Sequence, residues 1–333
     1  MRYIVIGAGA VGGSIGAGLF LAGKQVLLVA RGAHRQAIAT AGLVFATPRG
    51  TRTLAIPVVG SPEEVDLKPD DVLILAVKIQ DSLPALDSWS GRPVAGGGTA
   101  GTDLPLLCAQ NGVEGERLAL RRFDRVYGVC VVLPAGHLAP GRIDSIGDPQ
   151  IGVLTIGAYP AGTDDLVDRV CGDLRQAQIT ALPSPVVMRW KYTKLLANLG
   201  NALEAICGPI QGEALLALAA AARSEGEQVL RAAGIEHADR NEDEGIHFDL
   251  GTAGIPDRPR GGGSTWQSLT RGTGTVEAAY LSGEIALLGR LSGTPTPVNA
   301  TLCRIADDLA RRALPPGSVS VQDLTLQLEH AAR

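Results

Sequence analysis

Met1-Arg-Tyr-Ile-Val-Ile-Gly7-Ala8-Gly9-Ala10-Val11-Gly12-Gly-Ser-Ile-Gly16 opens the chain. A β-branched run from Tyr3 to Ile6 leads straight into Gly-x-Gly-x-x-Gly, followed by small apolar residues suited to a closely packed helix. Strand, tight turn and helix in that order describe a dinucleotide-binding unit. Gly7 permits the turn, Gly9 lets the backbone approach a pyrophosphate, and Gly12 lets the helix pack on the sheet. The pyrophosphate then rests across Gly7, Ala8, Gly9, Ala10, Val11 and Gly12, where unpaired N–H groups and the helix dipole favour negative charge. The stretch from Tyr3 to Gly23 carries no charge, as a membrane span or signal sequence would, but its seven glycines make a poor hydrophobic span. No small-residue cleavage site with a polar start follows, and a second strand comes at once.

That second strand, about Gln25 to Val29, ends in Ala30-Arg31-Gly32. An acidic residue at this place usually accepts the ribose 2′-hydroxyl of NAD; a guanidinium suits a 2′-phosphate instead. The expected cofactor is therefore NADPH.

With 333 residues the chain exceeds one typical domain. A net charge of −4 without a Lys/Arg block speaks against nucleic acid or an anionic membrane as partner. Its 43 glycines, beside 45% hydrophobic residues, indicate tight turns and close packing. Cys108, Cys130, Cys171, Cys207 and Cys303 are odd in number and show no Cys-x-x-Cys spacing, which predicts reduced thiols in a cytoplasmic protein. His237 and His247, among Glu236, Asp239, Glu242, Asp243 and Glu244, fit no ligand spacing, so a solvated acidic helix end is expected and no metal site.

Further along, strands and helices alternate. Leu54 to Val59 reads as a strand, and Asp70 to Val77 and Leu104 to Gln110 read as buried parallel strands by their apolar runs. They end at Lys78 and at Asn111-Gly112. Ligands of an open parallel sheet lie beyond the strands' carboxyl ends, so Lys78 and Asn111 are expected at the cofactor edge. Val126 to Pro134, Arg142 to Ile146 and Gln150 to Ile156 look like an antiparallel extension of the sheet. After Pro183-Ser184-Pro185 helical periods take over, at Val187 to Cys207, Glu213 to Ala233, Val276 to Leu291 and Asn299 to Leu314. This predicts an α/β Rossmann domain over 1–183 and an all-helical domain over 184–333, with a mobile loop or lid from Gly251 to Gly263.

In the helical half, Lys194, Asn198 and Asn201 fall at i, i+4 and i+7, a narrow polar stripe on an otherwise apolar helix. Such groups are costly to bury unless they meet polar partners or a ligand. Ser264-Thr-Trp-Gln267 is a capping-box pattern, and its hydroxyl and helix-start N–H groups also suit a carboxylate. Glu277, Tyr280 and Glu284 follow at helical spacing, Glu284 on an outward charged face.

Taken in order, Gly7-Ala-Gly9-Ala-Val-Gly12, Arg31, Val77-Lys78, Gln110-Asn111-Gly112-Val, Lys194-x-x-x-Asn198, Ser264-x-x-Gln267, Glu277 to Gly283 and Thr296-Pro297-x-Asn299 resemble the ketopantoate reductase (2-dehydropantoate 2-reductase) family. The resemblance spans nearly the whole chain. It implies a Rossmann domain, a C-terminal domain of the 6-phosphogluconate dehydrogenase type, NADPH, and an active site in an interdomain cleft. It further implies Lys194 as general acid, Glu277 as hydrogen-bond partner of the forming hydroxyl, and Ser264 on the substrate carboxylate. Asn198 and Asn201 would orient substrate and lysine, while Lys78 and Asn111 would contact the cofactor. Asn201 lies at i+7 where the family has i+8. Ala279 and Ser282 stand where the family reads Asp and Asn, Val276 looks inserted, and Gln211 replaces a typical asparagine. The expected activity is reduction of a small 2-oxo acid, ketopantoate first, in pantothenate biosynthesis. A reductase of another 2-oxo acid and a non-catalytic NADPH sensor are the alternatives, and a homodimer is among the assemblies the sequence allows.

Overall fold

The computed structural model describes residues 1–239, 250–256 and 261–331. Two compact units divide the chain: Met1–Lys191 with Asp239–Pro259, and Tyr192–Ala238 with Arg260–Arg333. The division lies within the helix Val187–Asn198, just after the expected boundary near 183, and the expected continuous helical domain over 184–333 is interrupted: Asp239–Pro259 groups with the first unit, where Asp148 N donates to Gly251 O at 2.9 Å and Ala253 N to Ile146 O at 3.0 Å.

The first unit carries strands β1 (Arg2–Ile6), β2 (Gln25–Val29), β3 (Leu43–Thr47), β4 (Gly50–Leu54), β5 (Val58–Val59), β6 (Asp71–Leu75), β7 (Leu106–Cys108), β8 (Val126–Val132), β9 (Ala135–Gly136), β10 (Arg142–Ser145), β11 (Gly152–Ala158) and β12 (Ile179–Pro183). Its helices are α1 (Ala10–Leu21), α2 (Gly32–Ala41), α3 (Ser82–Ser90), α4 (Ala100–Asp103), α5 (Gly115–Leu120) and α6 (Asp165–Gln176). The main sheet has the order β12-β11-β8-β7-β6-β1-β2-β5, parallel except between β8 and β11. Successive strand residues point to opposite faces, and both faces are buried. Tyr3, Val5, Val26, Leu28, Val72 and Ile74 pack on one side with Ile15 and Leu19 of α1 and Val170 and Leu174 of α6. Ile4, Ile6, Leu27, Val29, Leu73 and Leu75 pack on the other with Leu86 and Trp89 of α3 and Phe123. Two-sided burial is why these strands read as unbroken apolar runs. Arg2 holds β1 beside β6 through a two-toothed contact with Asp71, Nε–Oδ1 2.8 Å and a terminal guanidinium nitrogen to Oδ2 2.6 Å.

A second sheet, β4-β3-β10-β9, alters two expectations. Leu54 to Val59 is not one strand, because β4 ends at Leu54 in this second sheet and the chain reaches the main sheet only at β5. Pro57 between them has no N–H for a ladder; its carbonyl instead accepts from Leu28 N at 2.9 Å. β10 belongs to the second sheet, parallel to β3, so only β8 and β11 form the expected antiparallel extension. Strands β6 and β7 stop short of Val77 and Gln110, whose backbones have turned toward their loops.

The chain continues through α7 (Val187–Asn198) to α8 (Gly200–Cys207), α9 (Gly212–Ala232), α10 (Ser264–Thr270), α11 (Ser282–Ser292), α12 (Pro297–Arg311) and α13 (Val321–Ala331). The core of the second unit includes Leu195, Leu196, Leu199, Leu203, Val229, Leu230, Ile285, Leu302 and Ile305. The expected helix from 187 to 207 is two helices that meet at Leu199. A helix from Val276 also fails: Ala278–Tyr280 is a 3-10 turn, Leu281 leaves helical torsions at φ −116°, ψ −93°, and α11 begins only at Ser282. Glu284 is therefore in the first turn of α11, where the helix dipole favours an acid, and it is buried rather than on an outward face. Asn299, in the Thr296-Pro297-x-Asn299 signature, is structural: its backbone N–H and Nδ2 both donate to Glu225 at 2.9 Å. Residues 257–260 of the expected lid, and Glu242, Asp243, Glu244 and His247 of the acidic stretch, lie outside the described residues.

Candidate active site

The strand order reverses around β1, which lies between β2 and β6, and the glycine turn leaves the carboxyl end of β1 at that switch point. Gly7 has φ +105°, and Gly7 N and Ala8 N both donate to Val29 O at 3.1 Å. A Cβ on Gly7 would lie 2.7 Å from Val77 N, and one on Gly12 only 2.1 Å from Gly7 O. Gly9 differs: a Cβ there would meet nothing within 4 Å. Gly9 is also the N-cap of α1, no side chain caps that end, and no acid stands in the first turn. Two glycines are thus required by close backbone contact, and the third faces open space at a bare helix start. This cradle fits a pyrophosphate, with Ala10 and Val11 opening the helix. Arg31 is exposed at the N-cap of α2. Lys78 is half-buried at the start of a 3-10 turn after β6, and Asn111 is half-buried before Gly112 at φ +78°.

Sequence reasoning missed the side chains that hold these loops. Gln110 Nε2 donates to Val77 O at 2.7 Å and to Ser82 Oγ at 2.8 Å, so the residue before Asn111 grips the residue before Lys78. Lys191 Nζ donates to Gln110 O at 3.2 Å and to Glu116, both side chains being buried. Burial pushes the Glu116 carboxyl up, and the Lys191 ammonium opposes that shift. Removing one member of such a pair leaves an uncompensated buried charge, so the two are expected to stand or fall together. Their only signal in the sequence is a charge beside apolar neighbours, which does not reveal a partner 75 residues away.

In the second unit, Lys194 is half-buried on α7 and Asn198 is buried one turn on. Asn201 belongs to the next helix, and its direction is fixed by contact: Nδ2 donates to Ser264 Oγ at 3.4 Å. Glu204, also on α8, accepts from Gly263 N at 2.8 Å. The structure thereby corrects the expected cap. Gly263 is the N-cap of α10, Ser264 is its first residue and caps nothing, and a carboxylate of the chain itself already occupies the Gly263 N–H. Glu277 is buried at the start of the Ala278–Tyr280 turn, and its charge favours the protonated state of the half-buried Arg271, whose guanidinium burial pulls down. Among the described residues no group of three His, Cys, Asp or Glu is placed to hold a metal ion, and no helix is long and apolar enough to cross a membrane. All five cysteines are free thiols.

Residues 3–161 match the family model described as Ketopantoate reductase PanE/ApbA, and residues 186–310 match the one described as Ketopantoate reductase PanE/ApbA C terminal. A 2-dehydropantoate 2-reductase of Mesorhizobium japonicum is 30% identical, the alignment covering 92% of this chain and 97% of that protein. One from Pyrococcus abyssi is 28% identical over 91% of this chain and 95% of its own. Among solved structures, a PanE/ApbA family ketopantoate reductase from Ralstonia eutropha JMP134 superposes with a TM-score of 0.75 at 26% identity, covering 94% of this chain and 99% of that one. D-mandelate dehydrogenase with NADH and anilino(oxo)acetate shares the fold, at a TM-score of 0.77 and 20% identity over 94% of this chain and 99% of that one.

Proposed function

This chain belongs to the ketopantoate reductase family, and on that premise we propose that it reduces a 2-oxo acid to the 2-hydroxy acid with NADPH, ketopantoate to pantoate before others. The observation that carries the chemistry is Lys194, half-buried on α7 one turn from the buried Asn198. The first unit would hold the dinucleotide on the Gly7 to Gly12 cradle, with Lys78 and Asn111 at its edge and Arg31 on the 2′-phosphate. A bound nicotinamide supplies the hydride. The carbonyl oxygen then needs a proton, and Lys194 Nζ delivers it. Glu277 accepts a hydrogen bond from the new hydroxyl, and the Ser264 hydroxyl holds the substrate carboxylate. Asn198 and Asn201 orient substrate and lysine; the contact of Asn201 with Ser264 supports a shared task for those two. Free thiols fit a reducing compartment, and pantoate formation would place the enzyme in pantothenate biosynthesis in the cytoplasm.

Ala279 and Ser282, where the family reads Asp and Asn, favour a second reading in which another 2-oxo acid is the better substrate on the same scaffold. Initial rates with ketopantoate, 2-oxoisovalerate, pyruvate and phenylglyoxylate, each with NADPH and NADH, decide between them. The first reading predicts the highest kcat/KM for ketopantoate with NADPH. A higher value for another acid establishes the second, and no cofactor oxidation with any acid contradicts both.

A further inference from the structure

We infer that His34 is the positioning residue that fixes Arg31 against the glycine turn, and so sets discrimination between a phosphorylated and an unphosphorylated adenosine ribose. The inference rests on the nucleotide reading of the first unit given above. His34 is the third residue of α2, the helix whose N-cap is Arg31. Its Nδ1 accepts from Gly141 N at 2.8 Å and its Nε2 lies 2.7 Å from Ala8 O. A backbone N–H can only donate and a carbonyl can only accept. The network therefore assigns one tautomer, a neutral ring that accepts at Nδ1 and donates from Nε2 to the Ala8 carbonyl.

Ala8 stands between Gly7 and Gly9, at the centre of the cradle, so this imidazole is a strut between the pyrophosphate turn and the first turn of the arginine-bearing helix. The strut is braced from behind. Gly141, at φ +73°, approaches α2 so closely that a Cβ there would lie 2.8 Å from Ala37 Cβ. The His137 ring sits on the His34 ring with centroids 4.2 Å apart at a tilt of 50°, and its own Nδ1 is 3.1 Å from Arg142 O. In the same strand, Ile143 closes on α1, where a Cβ on Gly13 would meet Ile143 Cγ1 at 2.7 Å. The second sheet thus supports both the start of α1 and the start of α2. Arg31 itself is exposed at the N-cap of α2. A guanidinium on a long side chain discriminates by position, because the entropy of holding it is lost on binding unless its base is already fixed.

The test is dinucleotide binding to the full chain, read by fluorescence of titrated NADPH and NADH without substrate. His34→Phe keeps a ring and removes both hydrogen bonds; His34→Gln keeps one donor and one acceptor. His34→Phe is expected to weaken NADPH by roughly three- to tenfold and NADH much less, with partial recovery in His34→Gln. In an Arg31→Ala background, His34→Phe should no longer change the NADPH-to-NADH affinity ratio, since the two residues act as one unit. A merely structural role would weaken both dinucleotides alike, in either background, and that result overturns the inference. Wild-type affinity for NADPH in folded His34→Phe overturns it as well. If His34→Phe does not fold, His34→Gln decides by the same ratio. Failure of the wild-type chain to bind either dinucleotide overturns the nucleotide reading itself, a result distinct from the others.

Discussion

Lys194 carries the proton account, and its replacement tests that account at the scale of one residue. Lys194→Ala should lower kcat by roughly 10²–10⁴ while NADPH binding is largely kept. Reduction requires the ammonium and the reverse oxidation requires the amine. Reduction should therefore fall as pH rises through the Lys194 pKa, while hydroxy-acid oxidation gains over the same range. A retained alkaline limb in the Lys194→Ala profile would assign the proton elsewhere. Arg31→Ala should cost NADPH roughly ten- to a hundredfold relative to NADH, the worth of a charge-assisted hydrogen bond, as read from kcat/KM with each cofactor. Equal losses would show Arg31 to be a surface residue. The placement of Arg31, Lys78 and Asn111 was legible because each follows the carboxyl end of a parallel strand, the edge at which an open sheet gathers side chains. His34, Gln110, Glu116 and Lys191 were not. Their partners are backbone atoms or charges far away in sequence, 107 residues in the case of His34 and Gly141, and no local spacing encodes such contacts.

At the scale of the element, the β1-turn-α1 unit and helix α10 make opposite demands. Gly12→Ala places a Cβ 2.1 Å from the Gly7 carbonyl, so the turn must move; NADPH affinity and melting temperature should both fall. Gly9→Ala meets no protein atom within 4 Å, so it should leave the melting temperature nearly unchanged while weakening NADPH. Loss of stability in Gly9→Ala would mean that the cradle is shaped for the fold alone. Ser264 opens α10 without capping it, so Ser264→Ala should raise the KM for the 2-oxo acid with little change in melting temperature. Lost stability with an unchanged KM would remove Ser264 from the substrate site. Strands buried on both faces were easy to read from their apolar runs. The second sheet was not, since β4 is largely exposed and offers no apolar run, and neither was the break at Leu199, which keeps helical torsions of φ −62° and ψ −25°. Periodicity passes through such a joint without a mark.

At the scale of the whole molecule, the arrangement of buried groups predicts an alkaline limit to stability. Tyr3 is fully buried, donates to Asp173 at 2.7 Å, and is held well above the ordinary phenol range by burial and by that carboxylate. Burial also pushes the Cys171 and Cys303 thiols up to about 11. A group whose folded pKa is raised stays protonated in the fold while the unfolded chain ionises. Its contribution is complete below the unfolded pKa and is lost as pH rises above it, for Tyr3 at about 1.4 kcal/mol per pH unit beyond about pH 10. Urea midpoints should fall over that range, and Tyr3→Phe should lessen the slope; an identical slope would assign the effect to other groups. The family resemblance and a change of character near residue 183 were legible in the chain, because glycine turns and helical periods are local; the return of Asp239–Pro259 to the first unit was not, since no local pattern marks it. The identity of the acyl group was not, since it depends on which side chains meet around the substrate. The central claim is hydride transfer to a 2-oxo acid, and the most direct measurement follows the hydrogen. With NADPH deuterated at the transferring C4 position and ketopantoate as substrate, mass spectrometry should find pantoate carrying a single deuterium at C2, and Lys194→Ala should form it far more slowly. Pantoate that carries no deuterium would contradict the account.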